Sequence, residues 1–144
     1  MEETSWAPML ATARAAAQIA YVPYSNFPVG AAVLAASGTV YTGCNIENAS
    51  YGLTVCAERT AVFAAVNAGE RELVAVAVSA PRGSLTSPCG ACRQVLNEFK
   101  SRDRGMTVIL DDGLSGLAIP LAELLPRAFG PADLENMARA DDAG

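Results

Sequence analysis

Cys56-Ala57-Glu58-Arg59-Thr60-Ala61-Val62-Phe63-Ala64-Ala65-Val66-Asn67-Ala68-Gly69, with Leu73-Val74-Ala75-Val76-Ala77-Val78 just behind it, decides the fold of this chain. The first run carries apolar residues nearly all round a helical projection, as a buried central helix does, and Gly69 stops it. The second is a continuous apolar run of strand length, the pattern of a strand covered on both faces. Downstream, Pro81-Arg82-Gly83-Ser84 is loop and Ser87-Pro88 opens a second helix that runs from Cys89 to about Phe99. Thr107-Val108-Ile109-Leu110 is another buried strand. Alternation of strand, helix and strand places helices on the faces of a shared sheet.

Upstream, apolar positions at Trp6, Met9, Leu10, Ala13, Ala17, Ile19 and Ala20 follow a helical period from about Ser5 to Ala20. Ser5 is the expected cap, Pro8 fits the first turn, and Pro23 is the expected stop. Tyr24 to Pro28 reads as loop. Val29 to Ala35 and Val40 to Asn45 flank Ser37-Gly38 and read as a hairpin. Asn45 to Gly52 has no period and is polar, a loop of the kind that carries ligand groups at strand ends. Beyond Asp111-Asp112-Gly113, the sequence predicts a weaker strand near Leu117–Ile119, a short helix over Leu121–Leu125 and one more over Asp133–Ala138. The expected fold is a three-layer α/β/α sandwich around a mixed five-stranded sheet. A single domain over residues 1–144 is expected, with a loosely ordered tail after about residue 135.

Composition narrows function. The chain has 144 residues, 51% hydrophobic and 17% charged, so it can bury a real core. Its net charge of −5 and lack of a Lys/Arg run argue against a nucleic-acid partner. Met1-Glu2-Glu3 is acidic where a secretory signal is basic. The apolar run from Ala11 to Tyr21 is too short to span a bilayer and includes Arg14 and Gln18. A cytoplasmic protein is expected, in which four cysteines are metal ligands or inert thiols in preference to disulfides. There is no histidine, so any metal is held by Cys, Asp or Glu, and histidine acid–base chemistry is excluded.

Cys89 and Cys92 have the spacing that lets two thiolates grip one metal from a single turn, and Cys56 can add a third. Three protein ligands with one position open is the arrangement of a catalytic zinc, whereas structural zincs are closed by four. Both cysteine groups fall at predicted helix starts, where unpaired N–H groups and the positive dipole end favour thiolates. Glu58 is placed to handle protons. Residues two apart diverge on a regular helix, so Cys56 and Glu58 share a metal only if the thiolate leaves along the axis at the helix start. Three thiolates around Zn²⁺ leave negative charge that works against activating bound water. Arg59 is a candidate to offset it and Arg93 a second, each weighed against an ordinary surface ion pair. Cys44 as a fourth ligand would make the zinc structural; its strand context favours a partly buried free thiol. A thioredoxin-like reading of Cys89 and Cys92 leaves Glu58 without a role.

In order along the chain stand Tyr24-Ser25-Asn26-Phe27-Pro28-Val29-Gly30, Gly43-Cys44-Asn45-Ile46-Glu47-Asn48, Cys56-Ala57-Glu58-Arg59-Thr60, Pro88-Cys89-Gly90-Ala91-Cys92-Arg93-Gln94 and Leu124-Leu125-Pro126-x-Ala128-Phe129. This set, from Tyr24 to about Leu134, resembles the cytidine deaminases. Within them it resembles the small homotetrameric nucleoside deaminases with a three-cysteine zinc centre; the broader zinc nucleobase deaminase chemistry is a known superfamily mechanism. The resemblance implies one zinc per chain on Cys56, Cys89 and Cys92, with Glu58 passing a proton from water to N3 of the pyrimidine and then to the departing amino group. It further implies ribose contacts from Asn45 and Glu47, Phe27 against the base, and backbone at Ala57 and near Ser87 on the pyrimidine edge. Tyr51 and Phe129 would complete the pocket of a neighbouring subunit. The implied activity is deamination of cytidine and deoxycytidine in pyrimidine salvage. Alternatives are a blasticidin-type deaminase of a cytosine-containing antibiotic, and a non-catalytic structural-zinc module. Alone, Phe27 and Phe129 fit a core, Glu47 a solvated surface, and Asn45 a turn.

Overall fold

The computed structural model describes residues 5–135. Helix α1 spans Ala7–Ala17, strands β1 and β2 span Gly30–Ala35 and Val40–Cys44, and a 3-10 turn covers Tyr51–Leu53. Helix α2 (Ala57–Asn67), strand β3 (Leu73–Ser79), helix α3 (Gly90–Phe99), strands β4 (Thr107–Leu110) and β5 (Leu117–Pro120) and helix α4 (Leu121–Leu124) follow. Residues 131–135 are helical, the start of the helix expected at Asp133–Ala138. The rest of that helix, the tail beyond 135 and the acidic start lie outside the described residues. No helix among the described residues is long and apolar enough to cross a membrane.

The five strands form one sheet in the order β2-β1-β3-β4-β5. Only β3 and β4, joined through α3, run parallel; the hairpin and the outer pairs are antiparallel. Side chains alternate across each strand, so the two faces of the sheet carry different sets. Ala32, Ala75, Ala77 and Ile109 meet Met9, Leu10 and Ala13 of α1. On the other face Ala31, Val33, Val76, Val78, Val108 and Leu110 meet α2, α3 and α4 through Ala61, Val62, Ala65, Leu96 and Leu121. The three-layer sandwich with a mixed five-stranded sheet is the observed architecture.

Two glycines set how closely the helices lie on the sheet. A Cβ on Gly30 would fall 2.0 Å from the Ala13 carbonyl oxygen of α1. One on Gly43 would fall 2.3 Å from the Ala61 nitrogen and 2.7 Å from the Ala57 oxygen of α2. Backbone packs on backbone there, and no side chain fits.

Three expectations need correcting. Trp6 occupies the N-cap of α1 and no side chain caps the helix, so Ser5 does not cap it. The helix stops at Ala17 well before Pro23, because Gln18, Ile19 and Ala20 tighten into i−3 bonds and Tyr21 is drawn into a bridge with Ile46. Helix α2 is not buried all round: Phe63 is 49% exposed, since Ala57, Ala61, Val62 and Ala65 turn to the core and no described residue buries the outer face.

Candidate metal centre and substrate cavity

Cys56 and Cys89 are the N-caps of α2 and α3, both in extended backbone (φ −71°, ψ 157° and φ −68°, ψ 169°). Neither side chain bonds the first-turn N–H groups, so both thiols are free to face a ligand. The extended cap turns the Cys56 sulfur off the helix start, which lets Cys56 and Glu58 serve one site despite their spacing. Cys92 enters from the first turn of α3.

Cys56 Sγ lies 3.8 Å from Cys89 Sγ, and Cys89 Sγ lies 3.4 Å from Cys92 Sγ. All three sulfurs fall within 4.8 Å of one another. A tetrahedral zinc with Zn–S bonds of about 2.3 Å needs sulfurs about 3.8 Å apart. The donor set is soft, anionic when deprotonated, and three in number, so it fits one zinc ion with a position left open. Cys44 is excluded from the cluster; it is buried, and its thiol points at the Ile19 carbonyl 3.8 Å away. Burial pushes that thiol up, as befits an inert cysteine.

Arg59 Nη2 donates to Cys56 Sγ at 3.3 Å, while Arg59 Nε is buried without an acceptor. Arg59 thus sets a cation directly on the Cys56 sulfur, where thiolate charge needs offsetting. The Cys56 thiol is pushed down to about 5, first by its hydrogen bond with Cys92, then, against the cost of burial, by Arg59 and Cys89. Cys92 is pushed up, first by that same bond and then by burial.

Glu58 is 4% exposed. Burial pushes its carboxyl up, and the charge on Cys56 adds to this, against its own backbone N–H. A carboxyl whose affinity for a proton is raised by burial is suited to carrying one to and fro. Arg93 does not reach the sulfurs. Its guanidinium bonds Pro88 O (2.8 Å), Leu124 O (2.7 Å) and Ser87 Oγ (3.0 Å), so it neither offsets thiolate charge nor forms the surface ion pair weighed against that role.

A cavity of about 190 Å³ opens on the cluster, lined by Val29, Asn45, Thr54, Cys56, Ala57, Glu58, Val78, Thr86, Ser87 and Cys89. It adjoins, at Thr54, a shallower depression lined by Tyr24, Ser25, Glu47 and Tyr51. Asn45 sits between loop and cavity: Oδ1 accepts from Val29 N at 2.9 Å and Nδ2 donates to Phe27 O at 2.9 Å. Glu47 Oε1 accepts from Tyr24 N (2.9 Å) and Ser25 N (3.1 Å). Ser25 hydrogen bonding holds that carboxyl below its usual range. Phe27 lies against Gly83, outside the cavity lining. Tyr51 is 72% exposed and stacks edge-on with Tyr24, centroids 5.8 Å apart. Phe129 is 60% exposed and away from the cavity, its carbonyl held by Gln94 and Asn97.

Residues 4–107 match the family model described as the cytidine and deoxycytidylate deaminase zinc-binding region. The chain belongs to the cytidine deaminase family. A cytidine deaminase of Sporosarcina psychrophila is 50% identical over 131 residues, covering 90% of this chain and 95% of the relative. One of Mycobacterium tuberculosis is 45% identical over 139 residues, 96% of this chain and all of the relative. The crystal structure of cytidine deaminase from Burkholderia pseudomallei superposes with a TM-score of 0.79 at 43% identity, covering 88% of this chain and 100% of that one. Family membership and the sulfur geometry agree on one zinc ion at Cys56, Cys89 and Cys92. Sequence reasoning missed Thr54, Thr86, Val29 and Val78 in the cavity wall. Only the position of Val78 near the end of a buried strand could have pointed to it.

Proposed function

We propose that this chain hydrolyses the C4 amino group of cytidine and deoxycytidine, taking up water and releasing ammonia to leave uridine or deoxyuridine. The observation that carries this is the buried Glu58 carboxyl at the mouth of α2, beside three sulfurs set for one zinc in a cavity of nucleobase size. When bound, the zinc supplies Lewis acidity that makes water a nucleophile near neutral pH. Glu58 takes a proton from the attacking water and gives it to pyrimidine N3. It then takes the proton of the new C4 hydroxyl and delivers it to the amino nitrogen, so that C4=O forms as the C4–N bond breaks and ammonia leaves. Arg59 offsets the surplus charge of the thiolates. The Ala57 N–H at the helix start reads the pyrimidine edge.

Asn45 keeps one amide N–H and one lone pair for a ribose hydroxyl, and Glu47 keeps acceptor capacity for another. Phe27, near the end of the loop from Tyr24 to Pro28, lies against the base. Tyr51 and Phe129, exposed in one chain, complete sites of neighbouring subunits in a homotetramer that works in the cytoplasm on salvaged pyrimidines. Support for assembly comes from the aromatic surface that a lone chain leaves in water. Turnover of cytidine, deoxycytidine, cytidine 5′-phosphate and blasticidin S, measured side by side, tests the substrate class. The two nucleosides should react and the other two should lag far behind; preference for the antibiotic would replace the reading.

A further inference from the structure

We propose that Arg93 and Ser87 form a substrate-positioning pair, in which Arg93 fixes the Ser87 hydroxyl so that its proton is presented to the nucleoside. The proposal rests on the reading of the cavity as a nucleoside site. Arg93 stands on the second turn of α3, and its side chain folds back over the helix start. There it binds Pro88 O at 2.8 Å, Ser87 Oγ at 3.0 Å and, from α4, Leu124 O at 2.7 Å. A guanidinium can only donate, so the direction of the bond to Ser87 is settled: the serine oxygen accepts. The serine proton must then go elsewhere, and among the described residues no acceptor takes it. Ser87 lines the cavity together with Ala57, Glu58 and Asn45. A cationic donor on its oxygen also makes the hydroxyl a stronger donor in turn. The same three bonds hold Ser87 and Pro88 in place immediately before Cys89. Lysine cannot reproduce a planar fork that spans three acceptors.

The test is a cycle of four zinc-loaded proteins: the wild type, Ser87→Ala, Arg93→Lys and the double variant. Each is read for kcat and KM on cytidine and for zinc per chain. Ser87→Ala should raise KM about tenfold with kcat held, one bond to bound substrate being lost equally in ground and transition states. Zinc should remain at one per chain, and Ser87→Thr, which keeps the hydroxyl, should recover most of the loss. In the Arg93→Lys background the Ser87→Ala factor should shrink to about twofold or less, because the two residues act as one device. A KM for Ser87→Ala indistinguishable from wild type overturns the proposal, as does a tenfold factor that persists unchanged in both backgrounds. If Arg93→Lys does not fold, the Ser87→Ala and Ser87→Thr pair decides alone. A wild type that leaves cytidine intact marks failure of the functional reading itself, a result distinct from any failure in the variants.

Discussion

Gly43→Ala tests how tightly the fold and the metal centre are joined. The new methyl would start 2.3 Å from the Ala61 nitrogen and 2.7 Å from the Ala57 oxygen, where ordinary contact begins at 3.4 Å. Both neighbours are helix backbone, so no rotamer change relieves the clash, and α2 must retreat from β2 by about 1 Å. Overpacking of this kind costs about 1–3 kcal/mol, and the backbone contact places this site at the upper end. For a chain of this size that lowers the melting temperature by about 10 °C. The retreating helix carries Cys56 at its cap and Glu58 in its first turn, so misplacement of about 1 Å should cost around 100-fold in turnover. Thermal melting, zinc content and cytidine turnover on the same preparation measure all three. A variant that melts within about 2 °C of wild type and retains full turnover would refute the reasoning.

Glu58→Gln should keep one zinc per chain while turnover falls by about 100- to 10,000-fold; near-normal turnover would remove Glu58 from proton transfer. Asp111→Asn should cost about 1–2 kcal/mol near neutral pH in a urea titration, discounted because Arg14 is partly exposed. Asp111 there accepts from Arg14 at 2.7 and 2.8 Å and from buried Ser79 at 2.7 Å. Arg14 holds that carboxyl well below the usual range, so its contribution is full above about pH 4 and is lost as pH falls toward the folded value. The gap between wild type and variant should therefore narrow under acid, and a gap independent of pH would contradict the assignment. In the chelator-stripped chain, alkylation in mildly acidic solution should label Cys56 ahead of Cys44, with Arg59→Gln slowing the reaction. Peptide mass spectrometry reads the order; equal labelling of the two would be the wrong outcome.

Much of this fold was written in local pattern. The continuous apolar runs of β3 and β4 needed no partner to be recognised, and the Ser37-Gly38 turn placed the hairpin within a residue or so. Cys56 and Cys89 are legible as helix starts, and the metal centre follows from that placement. What escaped were features set by distant neighbours. The end of α1 depends on the bridge between Tyr21 and Ile46, and local periodicity continues straight past it. Phe63 looks like core in any helical projection, yet no layer among the described residues lies over it. Arg93 followed a cysteine and invited an electrostatic role, but its acceptors include the Leu124 carbonyl, 31 residues away. Asn45 was expected to face ribose; two of its hydrogen-bonding positions tie down Phe27 and Val29, a use that spacing does not reveal.

The central claim is that a single zinc on Cys56, Cys89 and Cys92 enables cytidine deamination, and a zinc titration of the chelator-stripped chain tests it most directly. Cytidine absorbance and released ammonia are followed as metal is added, with zinc per chain counted in parallel. Activity that rises in step with zinc, saturates at one equivalent per chain and yields ammonia equal to the uridine formed is the expected result. A fully zinc-loaded chain that leaves cytidine unchanged, or turnover that survives complete removal of the metal, would contradict it.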